Sequence, residues 1–500
     1  MPNLISYRDT AARVVLEEGI YYRYIFDEYK AEYDHLTQSG LLKALTEKGL
    51  IIAQQEEVIV QGLDLPKQTQ QQLQNQSPNK LYKKLKPHQI PFQSYPFEWS
   101  YSQWRKVMYA YLQINQIALG HGMILKDATP YNFYFEEGKA VLFDTSSFSF
   151  FKEGDPWMSY RQFCSEMLGP FALMHYNGQR WARLSQSHLR GLPLNFVSKQ
   201  LPLKSWLNMT CLLHIHLHGK YATNDSENSA LRNLKKSGSE KSEEGSAERT
   251  NKEISNQTKQ KGFSKEKIIS LMKMLQSAVV DWKKPYAFEK HWIDYYQKDI
   301  ASNKYLEHKE AIIKDWLGQI TKQNKLPSIL DLGANTGKFS LLASEYADKV
   351  IALEYDDICV DAIDKAIVSS KQKNIFCLRM DLAETTPNMG VLEKEFSSIY
   401  TRAKSSLVMG LALIHHLFIS NQLSFFKIAS ILDRFSDKNV IVEFIPITDE
   451  KVQFLIKDKQ RDYQDYTEEG FTKALDQFFQ IKERIQLEGS ERILYLLEKQ

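Results

Sequence analysis

Apolar and polar positions follow different rhythms in the two halves of this 500-residue chain. In the C-terminal half, short unbroken apolar runs alternate with segments of helical period. Ile329-Leu330-Asp331-Leu332 runs into a turn holding Gly333 and Gly337, and residues 339–347 follow with helical spacing. Further runs are Val350-Ile351-Ala352-Leu353, closed by Glu354, and residues 374–378, 407–412 and 440–444. Runs this apolar read as strands buried on both faces, and the helical stretches between them predict parallel crossovers. Residues 479–487 and 492–496, separated by Glu488-Gly489-Ser490, predict a closing antiparallel hairpin. The expected fold class over residues 326–500 is therefore α/β, a doubly wound Rossmann-like sheet with a terminal hairpin.

The pattern also marks boundaries. Residues 223–262 hold no aromatic side chain and are rich in Ser, Asn, Lys, Glu and Thr, so they predict a flexible low-complexity linker. Residues 1–222 ahead of it predict an α+β domain, with a Gln-rich surface loop over 66–80. Residues 263–325 carry helical spacing with Trp282, Tyr286, Phe288, Trp292, Tyr295, Tyr296 and Trp316, which predicts a helical lid or connector. Core packing is the alternative role for these aromatics.

Composition narrows the class. With 64 basic and 61 acidic residues the net charge is +3, so no global field argues for nucleic acid or a membrane surface. Cys164, Cys211, Cys359 and Cys377 are scattered and fit a reducing compartment better than disulfides or zinc. The first residues lack a basic-then-apolar signal, and no apolar run approaches the roughly 20 residues of a membrane span. A cytoplasmic location is expected. His214, His216 and His218 do not complete a zinc set, and no basic stripe interleaved with aromatics argues for RNA.

Chemistry concentrates at the turn after Leu332. Glycines there let a backbone pass close to a ligand, and Glu354 stands where an acid can take both hydroxyls of a ribose. A dinucleotide fingerprint fails because Asn335 and Lys338 fill two of its glycine positions; a Walker loop fails because Phe339 follows Lys338. The pattern Asp331-x-Gly333-x-Asn335-x-Gly337 resembles the first motif of class I S-adenosylmethionine-dependent methyltransferases, with Asn335 replacing a middle glycine. The resemblance implies S-adenosyl-L-methionine as cofactor, bound through Asp331, Gly333, Asn335, Gly337 and Glu354, with Asp381 on the adenine amino group. His415 and His416 follow the fourth run and Glu443 ends the fifth, where the acceptor belongs in such a sheet. Either histidine can be a general base with Glu443 orienting it or the acceptor; equally, the histidines can cap the next helix and Glu443 can anchor a loop.

In the N-terminal half, Asp127 precedes Asn132 by five residues, and a short apolar run then ends in Asp144. This order resembles the catalytic loop and metal-binding Asp of protein kinases and aminoglycoside-phosphotransferase-like enzymes, implying that Asn132 and Asp144 hold magnesium if the domain is active. Departures are equally plain: no glycine-rich loop lies near 14–25, no strand lysine stands out, and Asp144-Thr145-Ser146 replaces D-F-G. A hairpin whose polar residues serve turns is the alternative.

Segments such as Tyr95-Pro96-Phe97-Glu98-Trp99-Ser100, Phe143-Asp144-Thr145, Leu411-Ala412-Leu413-Ile414-His415-His416-Leu417 and Val442-Glu443-Phe444-Ile445-Pro446 are similar to a bacterial methyltransferase family that includes host-specificity nodulation proteins of the NoeA type. The resemblance implies methyl transfer to an unidentified acceptor. The alternative is a non-catalytic regulatory protein that joins a pseudokinase-like module to an S-adenosylmethionine-binding domain. Oligomeric state stays open.

Overall fold

Alternate residues of the central apolar runs face opposite sides of one sheet, and each side is covered by helices. The computed structural model describes residues 3–4, 9–57, 80–220, 264–282, 303–370, 372–457 and 459–500. Residues 66–79 of the Gln-rich tract, the linker over 223–262, and Tyr286, Phe288, Trp292, Tyr295 and Tyr296 lie outside the described residues. The chain forms two compact units, one drawn mainly from residues up to Phe288 and one mainly from Glu289 onward.

In the first unit, β1 (Asn3–Leu4), β2 (Ala12–Glu17), β3 (Ile20–Phe26), β4 (Gln54–Glu57) and β5 (Leu81–Pro87) form an antiparallel sheet in the order β1-β2-β3-β5-β4. Helices α1 (Lys30–Gln38) and α2 (Leu41–Glu47) separate β3 from β4. The long α3 (Tyr101–Gly120) starts at a capping box, where Ser100 and Gln103 exchange side-chain and backbone bonds. Short strands β6 (Met123–Leu125), β7 (Phe133–Glu136), β8 (Lys139–Leu142) and β9 (Phe148–Phe150) follow. Asn132 and Asp144 stand at the two feet of the β7–β8 hairpin.

The tract read as a single connector divides. Helix α4 (Lys265–Asp281) buries Ile268, Met272, Leu275 and Val279, one helical stripe, and packs on α3 within the first unit. Helix α5 (Asn303–Ile320) belongs to the second unit, where Ile313, Trp316 and Leu317 join the core beside Ile329, Val350 and Leu407. Strands β10 (Ile329–Leu332), β11 (Val350–Glu354), β12 (Ile375–Arg379), β13 (Ser405–Gly410), β14 (Ser436–Phe444), β15 (Phe479–Gln486) and β16 (Ile493–Lys499) form a seven-stranded sheet. Its order is β12-β11-β10-β13-β14-β16-β15. The first five strands run parallel, and β16 pairs antiparallel with both β14 and β15. Leu330, Leu332, Ile351, Val408 and Val442 face one core, and Ile329, Val350, Ala352, Met409 and Ile441 face the other. This is the doubly wound sheet with a terminal hairpin that the apolar runs predict. Helices α6 (Lys338–Ala343) after β10, α7 (Asp357–Ser370) after β11 and α8 (Phe425–Phe435) after β13 cover it. Among the described residues no helix is long and apolar enough to cross a membrane.

Trp316 is fully buried and its indole donates to Glu483 at 2.9 Å. Trp316→Ala should lower the stability of the second unit by about 3–5 kcal/mol, read as an earlier denaturant midpoint for the transition that this unit contributes.

Candidate functional site

The turn from β10 into α6 needs three residues in the left-handed region, and the sequence supplies Gly333 (φ 72°), Asn335 (φ 49°) and Gly337 (φ 84°). Asparagine is one of the few non-glycine residues that adopts this backbone readily, which explains why it can stand in the middle position. A Cβ on Gly333 would lie 3.2 Å from Leu413 Cδ1, so a larger residue would press on that side chain in addition to straining the backbone. The amides of Gly333 and Ala334 donate to the Leu353 carbonyl at 2.9 and 3.1 Å, which seats the turn on the end of β11.

That seating brings Glu354 under the turn. Its Oε2 accepts from the Asn335 amide at 2.7 Å and its Oε1 from the Asp356 amide at 2.9 Å. Burial outweighs these bonds and raises its pKa to about 7. Asp381, two residues beyond β12, accepts from the Ala383 amide at 2.9 Å. Both carboxylates line a cavity of about 300 Å³ at the carboxyl ends of β10 to β13. Gly333 and Asn335 line it too, and Met380, Leu382, Leu411, Leu413 and Leu417 make its apolar walls.

Other expected residues lie elsewhere. Asp331 is 2% exposed, does not line the cavity, and accepts from Ser340 Oγ at 2.6 Å, tying β10 to α6; burial raises its pKa to about 6. Gly337 turns the chain into α6 without lining the cavity. Of the three acid–base candidates, only His416 reaches the cavity wall, and burial lowers its pKa to about 4. His415 points into the core, with burial and then His416 holding it well below the ordinary histidine range, and its Nδ1 has no hydrogen-bond partner. Asp331, Gly337, His415 and Glu443 are therefore set behind the cavity wall, because each is claimed by packing or by a buried partner.

Glu443 has the most elaborate claim. Its side chain is fully buried, and Oε1 accepts from Tyr305 Oη at 2.5 Å while Oε2 accepts from Lys309 Nζ at 2.5 Å. Burial opposes its charge, yet Lys309 and Arg492 hold its pKa below the usual carboxylate value. Oε2 also accepts from the amide of Ala412 at 2.8 Å. Ala412 has φ of 51°, a strained conformation for alanine, and it forms part of the cavity wall. Glu443 thus fixes the wall from behind. Sequence spacing also missed Ser420 and Asn421, which reach the cavity through a π-helical turn, His416–Ser420. A 3.6-residue period does not place them.

In the first unit, Asp144 is satisfied from within the chain. Arg23 Nη1 lies 2.5 Å from Oδ1, Ser146 and Ser147 donate at 2.6 Å each, and Asn132 Nδ2 donates at 3.2 Å. Burial works against the charge, but Arg23 and the serines hold the pKa at about 2. Asn132 and Asp144 do meet, with a guanidinium beside them. Among the described residues no group of three or more His, Cys, Asp or Glu could hold a metal ion.

The strand order, with a cavity at the strand carboxyl ends beside a glycine turn, is that of a doubly wound α/β sheet whose ligand crevice lies where the order reverses. The chain is similar to "Nodulation protein NoeA" of Rhizobium meliloti (strain 1021), at 27% identity over 414 residues, 81% of this chain and 80% of the relative, and is homologous to it. No family profile matches the chain. Among solved structures it resembles magnesium protoporphyrin IX methyltransferase (ChlM) from Synechocystis PCC 6803 with bound SAH, at 16% identity and a TM-score of 0.31, covering 42% of this chain and 90% of that one. It also resembles N-methyltransferase NodS from Bradyrhizobium japonicum WM9, at 10% identity and a TM-score of 0.30, covering 40% and 99%. A third likeness, to WbdD, has 14% identity and a TM-score of 0.29, covering 42% and 43%.

Glu443→Ala leaves the Lys309 ammonium buried without its partner and should cost about 3–5 kcal/mol; a double change, Glu443→Leu with Lys309→Met, should recover much of the loss in thermal melts. With a guanidinium against Asp144, Mg-ATP should not shift the melting of the wild-type protein, and a clear stabilisation would contradict this account of Asn132 and Asp144.

Proposed function

We propose that the second unit binds S-adenosyl-L-methionine in the cavity between Glu354 and Asp381 and transfers its methyl group to an acceptor. The chain is thus an S-adenosylmethionine-dependent methyltransferase. The observation that carries this reading is the placement of two carboxylates on one apolar-walled cavity of about 300 Å³ at the ends of β11 and β12. Glu354 is held by backbone amides on both oxygens, Asn335 on one and Asp356 on the other, and this fixed orientation on the cavity wall suits a pair of sugar hydroxyls. Asp381 engages one oxygen with Ala383, and the other suits an exocyclic amine. Apolar walls of Met380, Leu382 and Leu413 suit the faces of an aromatic base. The homologous NoeA, matched over four-fifths of both chains, is consistent with one function for the whole architecture.

When bound, the cofactor supplies a methyl group on a sulfonium, already activated for transfer. The protein's part is to hold a nucleophile in line and to manage its proton. His416 is the acid–base side chain on the cavity wall, and with a pKa of about 4 it is neutral near pH 7. A base so weak holds an acceptor by a hydrogen bond better than it retains the acceptor's proton. Asp331 and Glu443 act by position, one tying the glycine turn and the other pinning Ala412. Asn335 and the two glycines supply the close backbone.

The first unit selects or presents the acceptor in this reading. The Arg23–Asp144 pair favours a kinase-like module that works without a metal, which also keeps the non-catalytic alternative in view.

Calorimetry of the purified protein with S-adenosylmethionine should show stoichiometric binding that Glu354→Ala reduces by about 100-fold, on the scale of two lost charge-assisted hydrogen bonds; Asp331→Asn should weaken it less. Unchanged affinity in Glu354→Ala would end the assignment.

The Glu354 pKa of about 7 lies above that of an unfolded glutamate, near 4.3. Its proton therefore stabilises the empty fold at low pH, and that contribution fades as pH rises from about 4 through 7. Ribose hydroxyls favour the ionised form, so affinity should climb from about pH 6 to about pH 8 with proton release, measured as a buffer-dependent heat, and Glu354→Gln should abolish that dependence.

A further inference from the structure

Between 196 and 213 the first unit turns a row of large apolar side chains outward. Leu203 is 86% exposed, Leu207 89% and Met209 64%, and Trp206, Leu213 and Phe196 are also exposed. Such a row is unusual on a solvated surface. It is not slack chain. Ser205 is fully buried beneath it, donating to the Pro202 carbonyl at 2.7 Å and bonding His216 Nε2 at 2.9 Å. The other nitrogen of His216 meets Ser198 Oγ at 2.7 Å, and Trp206 stacks on the same imidazole at 4.1 Å. Asn208 accepts from the Cys211 amide at 3.1 Å and closes the segment. A short 3₁₀ turn, Leu203–Leu207, is thus held on a rigid polar base with its leucines pointing away.

Charge along this stretch of chain is one-sided. From Met167 to Asn224 the chain has six lysines and arginines and no aspartate or glutamate. Arg190, Lys199 and Lys204 are exposed. The neutral balance of the whole chain conceals this local excess.

We propose that this face docks peripherally on an anionic lipid surface, with Leu203, Leu207 and Met209 entering the acyl boundary and the lysines and arginines meeting headgroup phosphates. Projecting leucines flanked by tryptophan and cations suit a bilayer interface, which needs no preformed pocket to receive them. A second copy fits poorly, because a two-fold contact through this patch brings cation against cation. Residues 223–262 carry seven acidic and eight basic side chains and no aromatic, so they supply neither opposite charge nor apolar bulk as a cover.

Flotation of the full chain with vesicles of phosphatidylcholine containing phosphatidylglycerol tests the assignment. Binding is expected to these vesicles, to weaken with added salt, and to be far lower with phosphatidylcholine alone. Leu203→Ser combined with Leu207→Ser should reduce partitioning about tenfold or more while the melting temperature stays unchanged. Lys199→Glu with Lys204→Glu should lower binding to anionic vesicles only. No flotation of the wild-type chain, or flotation that neither variant alters, overturns the proposal. So does self-association in light scattering that the leucine variant abolishes in the absence of lipid binding, which would assign the face to a second copy.

Discussion

One buried carboxylate, Glu443, governs the second unit. It joins α5 to the end of β14 through Tyr305 and Lys309, and with a second acceptor position on Oε2 it holds the amide of Ala412. Removing either charge would leave the other stranded in a medium that solvates it poorly. The ion pair therefore makes α5 a required part of the sheet, and it keeps a strained alanine where the cavity needs a wall. Arg492 extends the same network from the start of β16, donating to Tyr305 Oη at 3.0 Å and to Asp449 at 2.8 Å. Three pieces of chain far apart in sequence are thereby locked to the rim of one cavity.

The parts legible in the sequence are those that local pattern dictates. Buried parallel strands need unbroken apolar runs, so β10 to β14 announce themselves, and Glu354 and Asp381 are visible because each terminates or follows such a run. The left-handed turn was readable from two glycines and an asparagine. The partner of Glu443 was not legible for the opposite reason: Lys309 lies on a helix more than a hundred residues earlier, and no spacing rule pairs them. His415 and His416 look equivalent in sequence, and only the path of the chain after Gly410 sends one into the core and the other to the cavity. The π-helical turn that delivers Ser420 and Asn421 has no periodic signature at all.

The first unit shows a complementary case. The order Asp127, Asn132, Asp144 was legible and the structure does bring Asn132 to Asp144 at 3.2 Å. What spacing could not show is Arg23, supplied by β3, whose guanidinium supplies a fixed positive charge against the aspartate. A motif records which groups meet, and its chemistry is decided by whichever cation the rest of the fold places beside them. The same holds at the surface, where the +3 balance of the whole chain hides a stretch without a single acid.

The interior position of β16 bears on how the sheet is born. Strand β14 gains its outer neighbour from residues 493–499, and β15 attaches only through that same strand. A nascent chain leaving the ribosome therefore carries five parallel strands with an open flank until those residues emerge, and such a flank can recruit foreign strands. Closure waits on contacts between segments distant in the chain, which slows it. Completion of this sheet therefore waits on β16, and until that strand is in place the outer side of β14 is its weak edge.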